Sequence, residues 1–202
     1  MEKRALFIDR DGVINQMIRY ENGWDSPQKL TDVKLVEGIG EVILWANIHK
    51  IPVIEISNQP GVAKGKMSQK VSDAIEEKVH KLVKKKGAFI NRAYVCYHHP
   101  KAVIKKFKEI CDCRKPKPGL LLQAAKDLKI DLEQSVMLGD KISDAEAGRA
   151  SGCKTIIFVH DNDTEDKAGE AKKAKADYRV FKISEITPLL KRLFNINQSR
   201  DF

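Results

Sequence analysis

The sequence predicts an α/β fold, a Rossmann-like parallel sheet with helices on both faces. Two observations carry this reading. Short apolar runs of β-like pattern alternate with longer stretches whose apolar residues recur at three and four spacing, and neither a repeat nor a low-complexity segment breaks the alternation. Strand, helix, strand in succession needs crossover connections, which make neighbouring strands parallel and lay helices on both faces. The first strand is 5–8 (ALFI), an unbroken apolar run, followed by a long loop over 16–36. Helical spacing covers 38–49, then come a strand at 53–56 (VIEI), a helix over 68–86 and a strand at 93–96 (AYVC). A turn-rich insertion, 97–118, precedes a helix over 118–129, a strand at 135–138 (SVML), a helix over 143–151 and a strand at 155–159 (TIIFV). Residues 161–177 mix Asp, Glu, Lys and Ala with few large apolar side chains and read as a solvated helix or connection. A strand at 178–181 and a helix over 184–194 close the pattern, and 197–202 are expected to fray. No Gly-, Pro- or Ser-rich linker divides the chain, so 1–202 reads as a single domain.

Composition narrows the function classes. Of 202 residues, 42% are hydrophobic and 32% charged, enough for a core. No stretch approaches the ~20 uninterrupted apolar residues of a spanning helix. The start, MEKRALFID, passes from charge straight into a strand without the longer apolar run of a secretory signal, so a cytoplasmic location and no membrane partner are expected. Four cysteines could form two disulfides, a four-thiolate metal site or ordinary buried thiols. The net charge of +9 would suit nucleic acid, an anionic surface or a phosphorylated metabolite.

Ligands of parallel sheets sit beyond the carboxyl ends of the strands, so the residues just after each strand are the ones to read for chemistry. The first strand runs into Asp9, Arg10, Asp11 and Gly12, two acids close enough to share one pocket. Ser57, Asn58 and Gln59 follow the second strand, a hydroxyl and two amides able to donate to an anion. Arg114 and Lys115 come later, and Asp140, Lys141 and Asp144 follow the 135–138 strand. Acids and donors collected on one sheet edge suit a divalent metal and a phosphoryl group together. Phosphoryl transfer needs an in-line nucleophile, neutralisation of the equatorial oxygens and a proton donor for the leaving oxygen, and an aspartate can serve as the nucleophile.

DRDGVIN at 9–15, Ser57, Lys115 and GDKISD at 139–144 resemble, in order, the four motifs of the haloacid dehalogenase (HAD) superfamily of phosphatases. That resemblance implies a minimal cap, since the chain has little room for the large one the superfamily often carries, with Asp9 as nucleophile and Asp11 as general acid and base. It implies Ser57 and Lys115 on the phosphoryl oxygens, and Asp140 with Asp9 and the carbonyl of Asp11 around Mg²⁺. Lys141 and Asp144 would either orient these ligands or cap the helix beginning near Ser143.

Cys96-Tyr97-His98-His99 and Cys111-Asp112-Cys113 form two short soft-ligand groups. Three thiolates and one imidazole make the complement of a structural zinc, with His98 or His99 as the nitrogen donor. CYHHP and CDCRKPKPG resemble the zinc loop of the superfamily's D-glycero-D-manno-heptose 1,7-bisphosphate phosphatase subgroup, a loop shared with related histidinol phosphatases. The resemblance implies Zn²⁺ on Cys96, His98, Cys111 and Cys113, a closed site holding Arg114 and Lys115 against the phosphate pocket. Cys153 stands apart as a small buried residue.

The expected substrate is a small phosphorylated metabolite, the heptose bisphosphate by resemblance, with histidinol phosphate as its competitor. The loop QMIRYENGWDSPQKL and Pro60 depart from the heptose enzymes. Arg19, Tyr20, Asn58, Gln59, Arg114 and Lys141 are the candidate substrate contacts, with Lys64 and Trp24 as further candidates. Nucleic acid is the rival partner, because 64–86 holds eight lysines against three acids and 101–117 seven cations against two. No aromatic residues interleave with those lysines, as stacking on single strands would need, so nucleic acid is not the expected partner. Helices with a single apolar face suggest a monomer.

Overall fold

Apolar runs too short for a helix must be covered on both sides, and the chain achieves this with a sheet between two helical layers. The computed structural model describes residues 3–160 and 175–196. From β1 (Leu6–Ile8) the chain passes through an antiparallel hairpin, β2 (Ile18–Tyr20) and β3 (Gly23–Asp25), and returns through α1 (Ile39–Ile48) to β4 (Val53–Asn58). A single turn, α2 (Pro60–Ala63), and the long α3 (Gln69–Lys85) lead to β5 (Arg92–Cys96). Then follow α4 (Gly119–Leu128), β6 (Val136–Gly139), α5 (Ile142–Ser151), β7 (Lys154–Phe158), β8 (Tyr178–Val180) and α6 (Ile186–Leu193). The larger sheet has the order β5-β4-β1-β6-β7-β8, and its strands are parallel throughout.

Alternation along β1 divides the core. Leu6 and Ile8 face a cluster that includes Ile43 of α1, Val79 of α3 and Leu190 of α6. Phe7 faces the opposite one, with Leu121 of α4 and Ala147 of α5. The central β1 pairs with β4 on one side and β6 on the other, so its carboxyl end is the switch point where such sheets bind ligands.

The five predicted helices appear within a residue or two of their expected bounds, and the six strands likewise. The segment 16–36, read as a loop, instead folds into the β2–β3 hairpin and a 3-10 turn at Leu30–Asp32. Its strands are three residues each and none of these residues is buried, so no buried face imposes the alternation by which strands are recognised. Tyr20 pairs directly with Gly23, whose φ of 106° closes the turn. The readings for 161–174 and 197–202 lie outside the described residues.

A buried acid of the sheet meets the helix α3. Glu55 of β4 is fully buried, and its Oε2 is 2.8 Å from Nε2 of His80 on α3. Burial opposes the charged imidazole, but the Glu55 carboxylate outweighs it and raises the His80 pKa. A raised native value means that the pair stabilises the fold fully below the ordinary histidine pKa of about 6.5, and that this stabilisation is lost as pH rises through the native value. Denaturant titrations between about pH 5.5 and 8.5 are expected to show wild-type stability falling with pH relative to His80→Gln. Parallel curves for the two proteins would exclude the linkage.

Candidate active site

Strand ends at the switch point, the hairpin and the turn before α4 together place four acids and three cations around one cleft of about 230 Å³. Asp9 follows β1, and its backbone N–H donates to the Leu138 carbonyl at 2.9 Å, which fixes it against β6. Its Oδ1 accepts from the Arg10 backbone N–H at 2.8 Å and lies 2.8 Å from Nζ of Lys115. Its Oδ2 lies 3.6 Å from Nζ of Lys141. Both carboxylate oxygens therefore face cations, with the cleft between.

Lys115 is buried to 3% exposure and reaches three chain segments at once. Besides Asp9 it contacts Oδ1 of Asp144 at 2.6 Å and donates to the Ile56 carbonyl at 2.7 Å. Burial works against its charge, but Asp144 and Asp9 overcompensate and raise its pKa. Asn58 clamps its backbone, donating to the Lys115 carbonyl at 3.0 Å and accepting from its N–H at 3.1 Å. Asn58 lines the cleft, yet its amide is engaged by the lysine rather than left for a ligand. Gln59 is likewise engaged: it is buried and donates to Oδ2 of Asp11 at 2.5 Å and to Oγ of Ser57 at 2.8 Å. The Ser57 hydroxyl accepts there, which leaves its own proton to donate.

Asp11 is held more tightly than its neighbours. Arg10 forks onto it, Nε to Oδ1 at 3.3 Å and Nη2 to Oδ2 at 3.2 Å, and Asn15 donates to Oδ1 at 3.0 Å. Burial favours the protonated form, but the Arg10 charge and the Gln59 and Asn15 hydrogen bonds prevail and lower the Asp11 pKa to about 2. Sequence reasoning passed over Arg10 and Asn15. The available signal was an arginine between two acids directly after a fully buried strand, where only a paired cation is tolerated.

Asp140 and Asp144 divide two tasks. Asp144 is fully buried, and its Oδ2 accepts from the N–H groups of Asp140 and Lys141 at 3.2 and 2.9 Å, capping the start of α5 while Oδ1 holds Lys115. Asp140 is pushed up to about 7 by burial, against the pull of Lys141 and with the help of Asp9 and Asp144. Lys141 donates to Oδ1 of Asp140 and to the Asp11 carbonyl, each at 3.0 Å. Gly12, at φ 98°, allows this approach, because a Cβ there would lie 2.2 Å from Oδ2 of Asp140.

A second cluster abuts the first. Sγ of Cys113 lies 3.1 Å from Cys96, 3.0 Å from Cys111 and 3.4 Å from Nδ1 of His98, and one ligand atom from each of the four residues falls within 4.8 Å of the others. The thiols are not joined as disulfides. Burial and its thiol neighbours push Cys113 well up, whereas at Cys111 hydrogen bonds from Cys113 and His98 overcome burial and bring it down to about 7. Nδ1 of His99 instead accepts from the Lys101 backbone at 3.0 Å, so His98 is the histidine that faces the sulfurs. Cys153 is buried elsewhere, beside Ser151.

Arg114, next to Cys113, lines the cleft and donates to the His98 carbonyl at 3.3 Å. Arg19, Tyr20, Lys64 and Trp24 are not among the cleft-lining residues. The Tyr20 hydroxyl donates to Asp32 at 2.6 Å and accepts from the Gln28 N–H at 2.9 Å, so it pins its own loop, and Arg19 is exposed on β2. The hairpin instead contributes Asp25 and the adjoining Met17 and Ser26, which sequence reasoning did not single out. Asp25 is paired with Lys66, which ties the hairpin to the turn before α3.

A HAD-hydrolase-like family model matches residues 112–186. The D-glycero-beta-D-manno-heptose-1,7-bisphosphate 7-phosphatase of Vibrio cholerae is 36% identical over 171 residues, covering 85% of this chain and 89% of that protein. The enzyme of the same name from Haemophilus ducreyi is 32% identical over 189 residues, covering 93% and 98%. A solved HAD-like phosphatase from Mesorhizobium loti superposes with a TM-score of 0.79 at 27% identity, covering 98% of this chain and 90% of the other. The D,D-heptose 1,7-bisphosphate phosphatase of B. bronchiseptica, solved with magnesium and phosphate, shares the fold at a TM-score of 0.76 and 22% identity, covering 94% and 98%.

Replacing Asn58 by Ala leaves the Lys115 backbone N–H and carbonyl without their clamp, so Asn58→Ala is expected to destabilise the fold by about 1–3 kcal/mol. An unchanged midpoint in denaturant titration would show that the clamp is dispensable.

Proposed function

The chain belongs to the family of HAD-like phosphatases that includes these heptose bisphosphate enzymes, and from that membership we propose that it removes the 7-phosphate of D-glycero-β-D-manno-heptose 1,7-bisphosphate through an aspartyl-phosphate on Asp9. The observation that carries the reading is the pairing of Asp9 with the fixed ammonium of Lys115 at 2.8 Å in the cleft that Arg114 also lines. A carboxylate is a weak nucleophile toward a dianion, and a buried cation beside it reduces the repulsion between the two. In the first half-reaction an Asp9 oxygen forms a bond to phosphorus as the bond between phosphorus and the sugar C7 oxygen breaks, and that oxygen takes the proton of the Asp11 carboxyl. In the second, water attacks the phosphorus, the acyl-phosphate bond breaks, and Asp9 is restored with release of phosphate.

Asp11 as held by Arg10 is an ionised acceptor, the form that takes the proton from the attacking water. Delivering a proton to the leaving oxygen requires its carboxyl to leave that fork. Lys115 and the Ser57 hydroxyl hold the phosphoryl oxygens. Gln59 and Asn58 act through their neighbours as positioning residues.

The oxygens of Asp9 and Asp140 with the carbonyl of Asp11 form a hard, anionic donor set suited to Mg²⁺. The ion would neutralise the transferring phosphoryl group. Asp144, though in the same carboxylate cluster, is occupied by Lys115 and the helix cap and is not assigned to the metal. The soft set of Cys96, His98, Cys111 and Cys113 suits a structural Zn²⁺, whose closed coordination would fix the turn carrying Arg114 and Lys115. Arg114 is then placed to take the second phosphate of the sugar.

Phosphate release in the presence of Mg²⁺ should give a higher kcat/KM on the heptose bisphosphate than on histidinol phosphate, and the reverse order would overturn the substrate assignment. Asp9→Asn is expected to lower kcat by about 10³-fold or more, as loss of a nucleophile does. Retained activity would overturn its role. Elemental analysis of protein purified without chelators should find about one zinc per chain, and less than about half would remove the zinc assignment.

A further inference from the structure

Three oxygens converge on one ammonium group. Nζ of Lys141 lies 3.0 Å from the Asp11 carbonyl, 3.0 Å from Oδ1 of Asp140 and 3.6 Å from Oδ2 of Asp9. These belong to the same three residues that the proposed function assigns to Mg²⁺, and the inference rests on that reading. An ammonium at this point competes with a divalent ion for the same oxygens, and like charges a few ångströms apart repel strongly in a site poor in water.

The two lysines of the site differ in their freedom to move. Lys115 has a side chain 2% exposed and three partners on separate elements. The Lys141 side chain is 46% exposed and lines the cleft, while its backbone is held by the Asp144 cap. Withdrawal of Lys141 therefore requires only rotation about side-chain bonds and leaves α5 in place. The direction open to it is the cleft, where Arg114 and Lys115 already present positive charge to an anion.

We propose that Lys141 is an exchangeable internal cation: it gathers the oxygens of Asp9, Asp11 and Asp140, Mg²⁺ displaces it, and the released ammonium turns into the cleft to meet the phosphorylated substrate. Metal uptake then competes with a tethered charge, which weakens Mg²⁺ binding, and the same event supplies a third cation to the substrate. Loading of metal and affinity for the substrate anion become linked.

The test compares wild type with Lys141→Met after both are exchanged into Mg²⁺-free buffer without chelator, so that any zinc is retained. Calorimetric titration with Mg²⁺ should show binding about tenfold tighter in the Met variant, a typical size for a coupling between sites. Without Mg²⁺ the variant should melt below wild type, and saturating Mg²⁺ should close the gap. A probe on wild-type protein does not depend on the variant folding: brief acetylation with acetic anhydride, read by peptide mass spectrometry, should label Lys141 several-fold faster with Mg²⁺ than without, relative to exposed lysines. Equal or weaker Mg²⁺ binding by the variant, or labelling indifferent to Mg²⁺, would overturn the exchange while leaving the magnesium reading intact. A wild-type protein that takes up no Mg²⁺ would overturn both.

Discussion

The site depends on burying the ammonium of Lys115. A cation removed from water must be surrounded by negative charge and lone pairs, and no single segment of this chain supplies enough of them. Lys115 draws one carboxylate from the end of β1, another from the first turn of α5 and a carbonyl from β4. These partners arrive correctly only if the central strands are in register, Ile8 beside both Glu55 and Leu138. The demand of one buried charge thereby ties the sheet, the following helix and the turn that carries Arg114 into a single arrangement. Removing one partner from such a cluster leaves an uncompensated charge, which explains why Asn58 and the Asp144 cap reinforce its backbone surroundings.

Around that fixed centre the other charges are graded by how completely they are paired. Asp11 is saturated by Arg10, Asn15 and Gln59, which favour its charged form. Asp140 has Lys141 as its cationic partner, and burial with the neighbouring Asp9 and Asp144 raises its pKa. Asp9 lies between, with one oxygen on Lys115 and the other on the half-exposed Lys141. A fully neutralised carboxylate is a poor metal ligand and a poor nucleophile, so the incomplete pairing of Asp9 and Asp140 is what leaves them reactive. The grading follows from exposure and donor count rather than from residue type.

Residue type and spacing made the architecture legible because burial on two faces imposes a pattern that exposed segments escape. β1, with every residue buried, announced itself as an apolar run. The β2–β3 hairpin did not, since exposed Arg19 and Trp24 carry no periodic constraint. The candidate site was legible to a different depth. Sequence position brought Asp9, Asp11, Lys115 and Asp140 to one strand edge, but could not tell which groups face the cleft and which face one another. Asn58 and Gln59 were read as donors to an anion, and donors they are, to the Lys115 carbonyl and to Asp11. Arg19 and Tyr20 were read as substrate contacts from their place in the first loop, and the hairpin turns Tyr20 toward Asp32 instead.

The hairpin brings an acid, Asp25, into the lining of the cleft that Arg114, Asp9 and Lys115 also line. The Asp25 carboxylate is paired with Lys66 outside the cleft, so it is held in position without losing its capacity to accept hydrogen bonds. A wall of that chemistry disfavours a phosphate and favours hydroxyl groups, which can donate to it. In the proposed reading the reacting phosphate lies at Asp9, and a distal phosphate is disfavoured beside Asp25 and favoured beside Arg114. Selectivity would then come from a repulsive wall as much as from an attractive one, and the segment that departs most from the heptose enzymes is the one that builds it.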